Sequence, residues 1–256
     1  MEDVRVIVLF TDFGLEGPYI GQMKAVLYQG APGTPIIDLF SDAPAHNPKA
    51  CAYLLAAYSK TFPDNSIFLS VVDPGVGGSR RALVVRVGQR WYVGPDNGLP
   101  EMLVRRETGD VKAWEILWKP RNCSASFHGR DIFSPIAARI SSGETPDMTG
   151  NENDFREIDV EGIRHPGWPD DLAEIIYFDH FGNAMTGIRA EAINDGKSLR
   201  VGDYNLAVAE TFTDVDSGDM FCYENANGLM EIAVNQGRVK DIQGLKLGAE
   251  ISIIQL

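Results

Sequence analysis

Residues 4–10, within "VRVIVLFTDFG", are apolar at nearly every position and stop at Asp12 and Gly14. "TPIIDLF", "SIFLSVVD" and "ALVVRVGQRWYVGPDNG" repeat the pattern further on. Between them, "YIGQMKAVLYQ" has helical spacing, and "NPKACAYLLAAYSKTF" places Asn47 as an N-cap with Pro48 at the first helical position. A strand with no polar side must be covered on both faces. Such strands alternating with helices predict an α/β layer built on a mostly parallel sheet with flanking helices. "DIFSPIAARISSG" closes this half as a helix, with Pro135 tolerable only in its first turn.

The character changes after residue 150. "NENDFREIDVEGIRHPGWPD", residues 151–170, is polar, carries two prolines and shows no firm period, so it reads as a linker. Beyond it, "AEIIYFDHFGNAMTGI", "SLRVGDYNLAVAETF", "FCYENANGLMEIAVNQG" and "AEISIIQL" are strand-like and punctuated by turns. They predict a C-terminal antiparallel β-barrel or sandwich. The expected organisation is an α/β domain over residues 1–160 and a β-barrel domain over residues 171–256.

Bulk properties narrow the function. With 256 residues the chain can bury a sizeable core, and its net charge of -13 argues against nucleic acid, whose phosphates require a basic surface. The three cysteines, Cys51, Cys123 and Cys222, are isolated and show no metal-ligand spacing, as reduced thiols would. No apolar run approaches the roughly 20 residues of a membrane span. The opening residues show no basic segment or cleavage-like site. A cytoplasmic protein with no metal, cofactor, membrane or nucleic-acid partner is the expectation.

In parallel sheets, ligands sit outside the carboxyl ends of the strands. Distinctive polar residues fall there four times. Asp12 follows the first strand, Asp73 ends a central one, Asp96 and Asn97 follow "WYVG", and His128 precedes a helix in "SFHGRDIF". Each has a bland alternative as a turn or cap residue. "TDFG" lacks every companion motif of a kinase, and "DPGVGGSRR" lacks the Gly-Lys-Ser/Thr ending of a phosphate-binding loop. "DHFGN" and "NANG" read by themselves as hairpin turns.

Taken together, "FTDFG" with "PYIGQMKAVL", "VVDPGVGGSRR", "YVGPDNG", "FHGRDIFSP", "FDHFGN" and "NGLMEIAVNQG" resemble, in order, the S-adenosylmethionine (SAM) hydroxide adenosyltransferases. These adenosine-forming SAM hydrolases are related to the SAM-dependent fluorinase and chlorinase. The resemblance covers nearly the whole chain. It implies a homotrimer in which SAM lies between one subunit's N-terminal domain and its neighbour's C-terminal domain. It also implies an Asp-Arg-His set at the reacting carbon, here Asp73, Arg80 and His128. Asp12 would hold the ribose hydroxyls, and Asp96 and Asn97 on the same rim are expected to bind substrate as well. Asp179 would approach the methionine ammonium, Asn183 the adenine, and Asn227 would belong to the turn at the methionine carboxylate.

Two positions depart from the family's pattern. Gly17 stands where an Asp is common, with Glu16 adjacent, and Ala226 replaces the serine of the C-terminal Asn-Ser-x-Gly turn. Both touch the methionine end. A non-catalytic SAM or adenosine binder is therefore the alternative of a different class. Halogenation is disfavoured, because the halogenases carry an aromatic residue where Asp73 stands and a carboxylate repels a halide.

Overall fold

All five positions of β1 (Ile7–Thr11) are buried in a computed structural model that describes residues 5–149, 153–193 and 196–255. Ile7 and Leu9 enter a core shared with Met23 and Leu27 of α1 (Tyr19–Gly30) and with Ile136 and Ile140 of α4 (Ser134–Ser141). Phe10 points the other way, onto Phe40 at 5.2 Å, and Phe40 meets Tyr58 at the end of α2 (Pro48–Tyr58). Side chains alternate along a strand, so cover on both faces leaves no polar position. That is the origin of the unbroken apolar runs. α2 begins as expected: the Asn47 side chain accepts the Ala50 N–H at 3.0 Å, and Pro48 sits in the first turn.

The strands form a seven-stranded sheet in the order β2 (Ile36–Phe40), β1, β3 (Ile67–Val71), β5 (Arg90–Pro95), β4 (Ala82–Val87), β6 (Val111–Ile116) and β7 (Phe155–Ile158). β2, β1, β3 and β5 are mutually parallel, whereas the β5–β4, β4–β6 and β6–β7 ladders are antiparallel. The α/β layer is mostly parallel in strand direction, with a mixed flank.

The linker expected over 151–170 needs correction (residues 151 and 152 lie outside the described residues). Phe155 pairs with Ile116 as β7 joins β6, and it is buried beneath the Arg139 guanidinium at 5.5 Å. Arg164 and the His165 N–H then bind Glu101 at the start of α3 (Glu101–Arg106). A four-residue edge strand, "FREI", carries too little alternation to stand out in a polar stretch. The chain divides into two compact units, Met1–His165 and Pro166–Leu256.

The second unit contains β8 (Leu172–Phe178), β9 (Ala184–Arg189), β10 (Lys197–Val201), β11 (Tyr204–Asn205), β12 (Ala207–Val208), β13 (Met220–Glu224), β14 (Leu229–Val234) and β15 (Ile251–Gln255). They make a five-stranded sheet, β12-β13-β14-β9-β8, and a three-stranded one, β11-β10-β15. The pairings are antiparallel apart from the short β12–β13 ladder. Ile175, Ile188, Val201, Cys222 and Ile232 lie in a core of their own. No helix among the described residues is long and apolar enough to cross a membrane.

Candidate active site

β1 and β3 run parallel in register, Thr11 beside Val71, so Asp12 and Asp73 emerge from the same edge of the sheet. β4 returns antiparallel to β5 with Ala82 opposite Pro95, which brings Arg80, Arg81, Asp96 and Asn97 to that edge too. His128 arrives from the other side, at the head of a π-helical turn (Gly129–Phe133) that leads into α4. The Ser134 N–H and hydroxyl both donate to the Gly129 carbonyl, an i→i−5 bond that widens the turn, and Pro135 follows with no N–H of its own to place.

A cleft of about 640 Å³ opens at this edge, with Asp12, Phe13, Tyr19, Asp73, Phe127 and His128 in its wall. Arg80 stands behind the wall and joins two of its members. Its Nε donates to both Asp73 carboxylate oxygens at 3.0 and 3.1 Å, and its Nη2 pairs with Asp73 Oδ2. The same Nη2 lies 2.9 Å from His128 Nδ1, and the guanidinium carbon sits 5.2 Å from the centre of the Phe133 ring. A guanidinium can only donate. Nδ1 therefore accepts, and the proton of the neutral imidazole resides on Nε2. Burial first, and then the Arg80 charge, hold the His128 pKa below the ordinary 6.5, with Asp73 partly opposing them. Both influences favour the neutral ring.

The glycine-rich loop after Asp73 is shaped by packing. Gly77 has φ of 77°, and a Cβ there would lie 2.5 Å from the Ala125 carbonyl oxygen. Only glycine allows the 73–80 loop to press against the 124–127 loop, which itself carries cleft residues Ser124, Ser126 and Phe127. Asp131 anchors that second loop. Its carboxylate accepts the Ser124 N–H at 2.7 Å and Arg130 Nε at 2.6 Å, and Arg130 holds it below the usual carboxylate range.

The other rim residues serve differently. Asp96 accepts Arg81 Nε at 2.6 Å, and the Asn97 amide donates to the Val72 carbonyl at 2.7 Å, fixing the strand end that precedes Asp73. Neither is among the cleft-lining residues. Asp12 accepts the backbone N–H of His46 at 3.0 Å. His46 lines the cleft and has φ of 57°, a left-handed conformation that costs a non-glycine residue. Sequence reasoning missed His46, and it missed the ring cluster of Phe13, Tyr19 and Phe127, whose centroids lie 5.5–5.8 Å apart. "AHNP" carries no signal beyond a helix start; only the fold turns it toward Asp12.

Asp179, Asn183 and Asn227 belong to the second unit. Asp179 Oδ1 accepts the Asn183 N–H at 2.8 Å, closing the β8–β9 turn around a mostly buried Asn183. Asn227 lies in the β13–β14 turn, its N–H donated to Asn225 Oδ1 at 2.9 Å. Asn225 in turn donates to buried Glu231, which also accepts the Tyr223 hydroxyl at 2.5 Å. Ile232 pairs with Ala184 and Leu229 with Arg189, so the two turns mark opposite ends of the β9–β14 ladder. At the departures, Gly17 has φ of 101°, a conformation an aspartate would hold only under strain. Among the described residues no group of three or more His, Cys, Asp or Glu side chains could hold a metal.

The profile of the SAM hydroxide adenosyltransferase N-terminal domain matches residues 7–150, and that of its C-terminal domain matches residues 173–252. The chain belongs to this family. A curated relative from Thermus thermophilus, named (R)-S-adenosyl-L-methionine hydrolase, is 35% identical over 98% of this chain and 100% of its own. One of the same name from Salinispora tropica is 32% identical over 95% of both chains. A fluorinase from Nocardia brasiliensis is more distant, 20% identical over 97% of this chain and 96% of its own. A solved structure of a Thermotoga maritima protein superposes with a TM-score of 0.85 at 31% identity, covering 97% of this chain and 100% of that one.

Proposed function

We propose that this chain hydrolyses S-adenosyl-L-methionine to adenosine and methionine, and that Asp73, Arg80 and His128 carry the reaction. The observation that supports this most directly is Arg80 bridging Asp73 and His128 Nδ1 behind a cleft that both of those residues line. A water oxygen forms a bond to C5′ as the C5′–S bond breaks, and the electron pair of that bond passes to sulfur. The sulfonium leaves as a neutral thioether, so sulfur requires no general acid. One water proton is released. What the protein must supply is a positioned water and stabilisation of the hydroxide character it develops. Positioning contributes up to about 7–11 kcal/mol in favourable systems. The Arg80 charge stabilises developing hydroxide character, and the His128 Nε2–H is a donor that holds the oxygen. This makes His128 a water holder in its resting tautomer.

The relatives are named for the R epimer at sulfur, and we extend that preference to this chain. Asp12 is assigned to the ribose hydroxyls. The aromatic trio supplies the apolar wall. A homotrimer completes the site, with a neighbour's Asp179, Asn183 and Asn227 facing SAM, and with the two sheets of the second unit closing as a barrel. Leu15, Tyr19 and Phe181 are exposed apolar side chains suited to such an assembly.

The test is incubation with each SAM epimer in oxygen-18 water. Adenosine labelled at its 5′ oxygen, formed with methionine and faster from the R epimer, is the expected product. Intact SAM beside undiminished adenosine binding would make the chain a binder instead.

Two further outcomes are expected. Asp12→Ala should weaken adenosine binding about ten- to hundredfold, the cost of losing hydrogen bonds to a charged group. Unchanged affinity in a calorimetric titration would remove Asp12 from the ribose site. The second outcome concerns pH. Arg80, Asp73, Lys119 and Asp131 are the charges that act on His128. Protonating Nδ1 would expel the Arg80 hydrogen bond. Because the folded pKa is lowered, the midpoint of the acid limb of kcat/KM should lie below 6.5. A decline centred above that value in a pH–rate profile contradicts the neutral, Arg80-bound ring.

A further inference from the structure

Behind the reacting set lies a second cavity of about 380 Å³, separate from the substrate cleft. Ser79, Arg80, Glu115, Leu117, Lys119 and His128 are in its wall. Asp73 lines only the front cleft and Arg80 only the rear cavity, while His128 lines both. The Asp73–Arg80 ion pair is thus the partition between them. Ser79, Leu117 and Lys119 lie toward the surface, so the rear cavity meets solvent on its own side. Its wall is mixed, and Ser79, Arg80, Glu115, Lys119 and His128 give several waters polar partners.

We propose that this rear cavity is the water inlet and proton outlet of the hydrolysis. The inference rests on the proposed reaction, which consumes one water and releases one proton per turnover. In-line displacement puts the nucleophile on the side of C5′ opposite sulfur. A substrate filling the front cleft then stands between bulk solvent and that position. His128 lines both cavities, so it is there that solvent in the rear cavity comes nearest to that position without passing the substrate. The proton lost as the oxygen bonds to C5′ returns to water in the same cavity.

Two plugs entering from different elements test this: Ser79→Trp in the glycine-rich loop and Leu117→Trp just after β6. Neither residue lines the substrate cleft. Adenosine formation is followed in single turnover, so product release plays no part. Both variants should react at least about tenfold more slowly than wild type, with adenosine affinity and the acid limb of the pH profile unchanged. An unmoved acid limb reports an intact Arg80–His128 contact. A wild-type rate in either folded variant overturns the inlet, as does a rate loss accompanied by a displaced acid limb. Failure of the wild type itself to form adenosine would defeat the reaction assignment, which the same assay registers separately.

Discussion

Arg80→Lys is expected to lower kcat by about 10²- to 10³-fold, the range seen when one preorganised donor is removed from a transition-state site. Adenosine affinity should change little, because Arg80 stands behind the cleft wall and not in it. The guanidinium gives Nε to both Asp73 oxygens, Nη2 to Asp73 and His128, and Nη1 to the Arg81 carbonyl at 3.4 Å. A lysine ammonium retains the charge but is a single point and cannot reproduce this planar fork. The loss should therefore fall on turnover. Asp73→Ala and His128→Ala should behave alike, since each removes one end of the same bridge. Equal losses in kcat and in adenosine binding would contradict the assigned roles. A lysine variant within tenfold of wild type would mean that charge alone suffices.

The largest effect on stability is expected at Glu101, which no functional argument touches. Its side chain is fully buried, and it accepts Arg105 Nη2 at 2.6 Å, Arg164 Nε at 3.1 Å and the His165 N–H at 2.7 Å. Glu101→Ala leaves two guanidinium groups around an empty space. Removing one partner of a buried pair typically costs about 3–5 kcal/mol. The check is the denaturant midpoint of the first unit's unfolding, and a shift worth under about 1 kcal/mol would show that water replaces the carboxylate. The pH dependence has a definite sign. Burial pushes the carboxyl up, but the His165 N–H, Arg164 and Arg105 together bring it below the ordinary 4.5. This contribution is present above that value and is lost as pH falls through the folded pKa. Glu101→Gln should remove that acid sensitivity.

Much of this site is legible in the chain itself. Asp12, Asp73 and His128 sit at strand ends or before a helix, positions that a parallel sheet turns toward one edge, whereas Arg80 is found through the family resemblance. Asp96 and Asn97 are equally visible by that argument, yet they bind Arg81 and the Val72 carbonyl. A strand-end rule locates an edge. It does not say which polar groups the edge uses internally. The glycine-rich loop shows the same limit: its composition demands close approach, and the approaching partner is the Ala125 carbonyl.

By itself, the order of apolar runs and helical spacings determined the α/β half and the strand-rich half, because burial on two faces or one leaves different patterns. The spacing of seven between Asp73 and Arg80 set a loop length that can fold back on itself. Tertiary structure alone decided that Arg80 reaches His128, forty-eight residues away, and so which imidazole nitrogen carries the proton. It alone turned the His46 N–H onto Asp12, drew 155–165 into the first unit, and opened a second cavity behind the ion pair. Contacts between distant residues arise from how layers pack, and packing leaves no local period in a chain to be read.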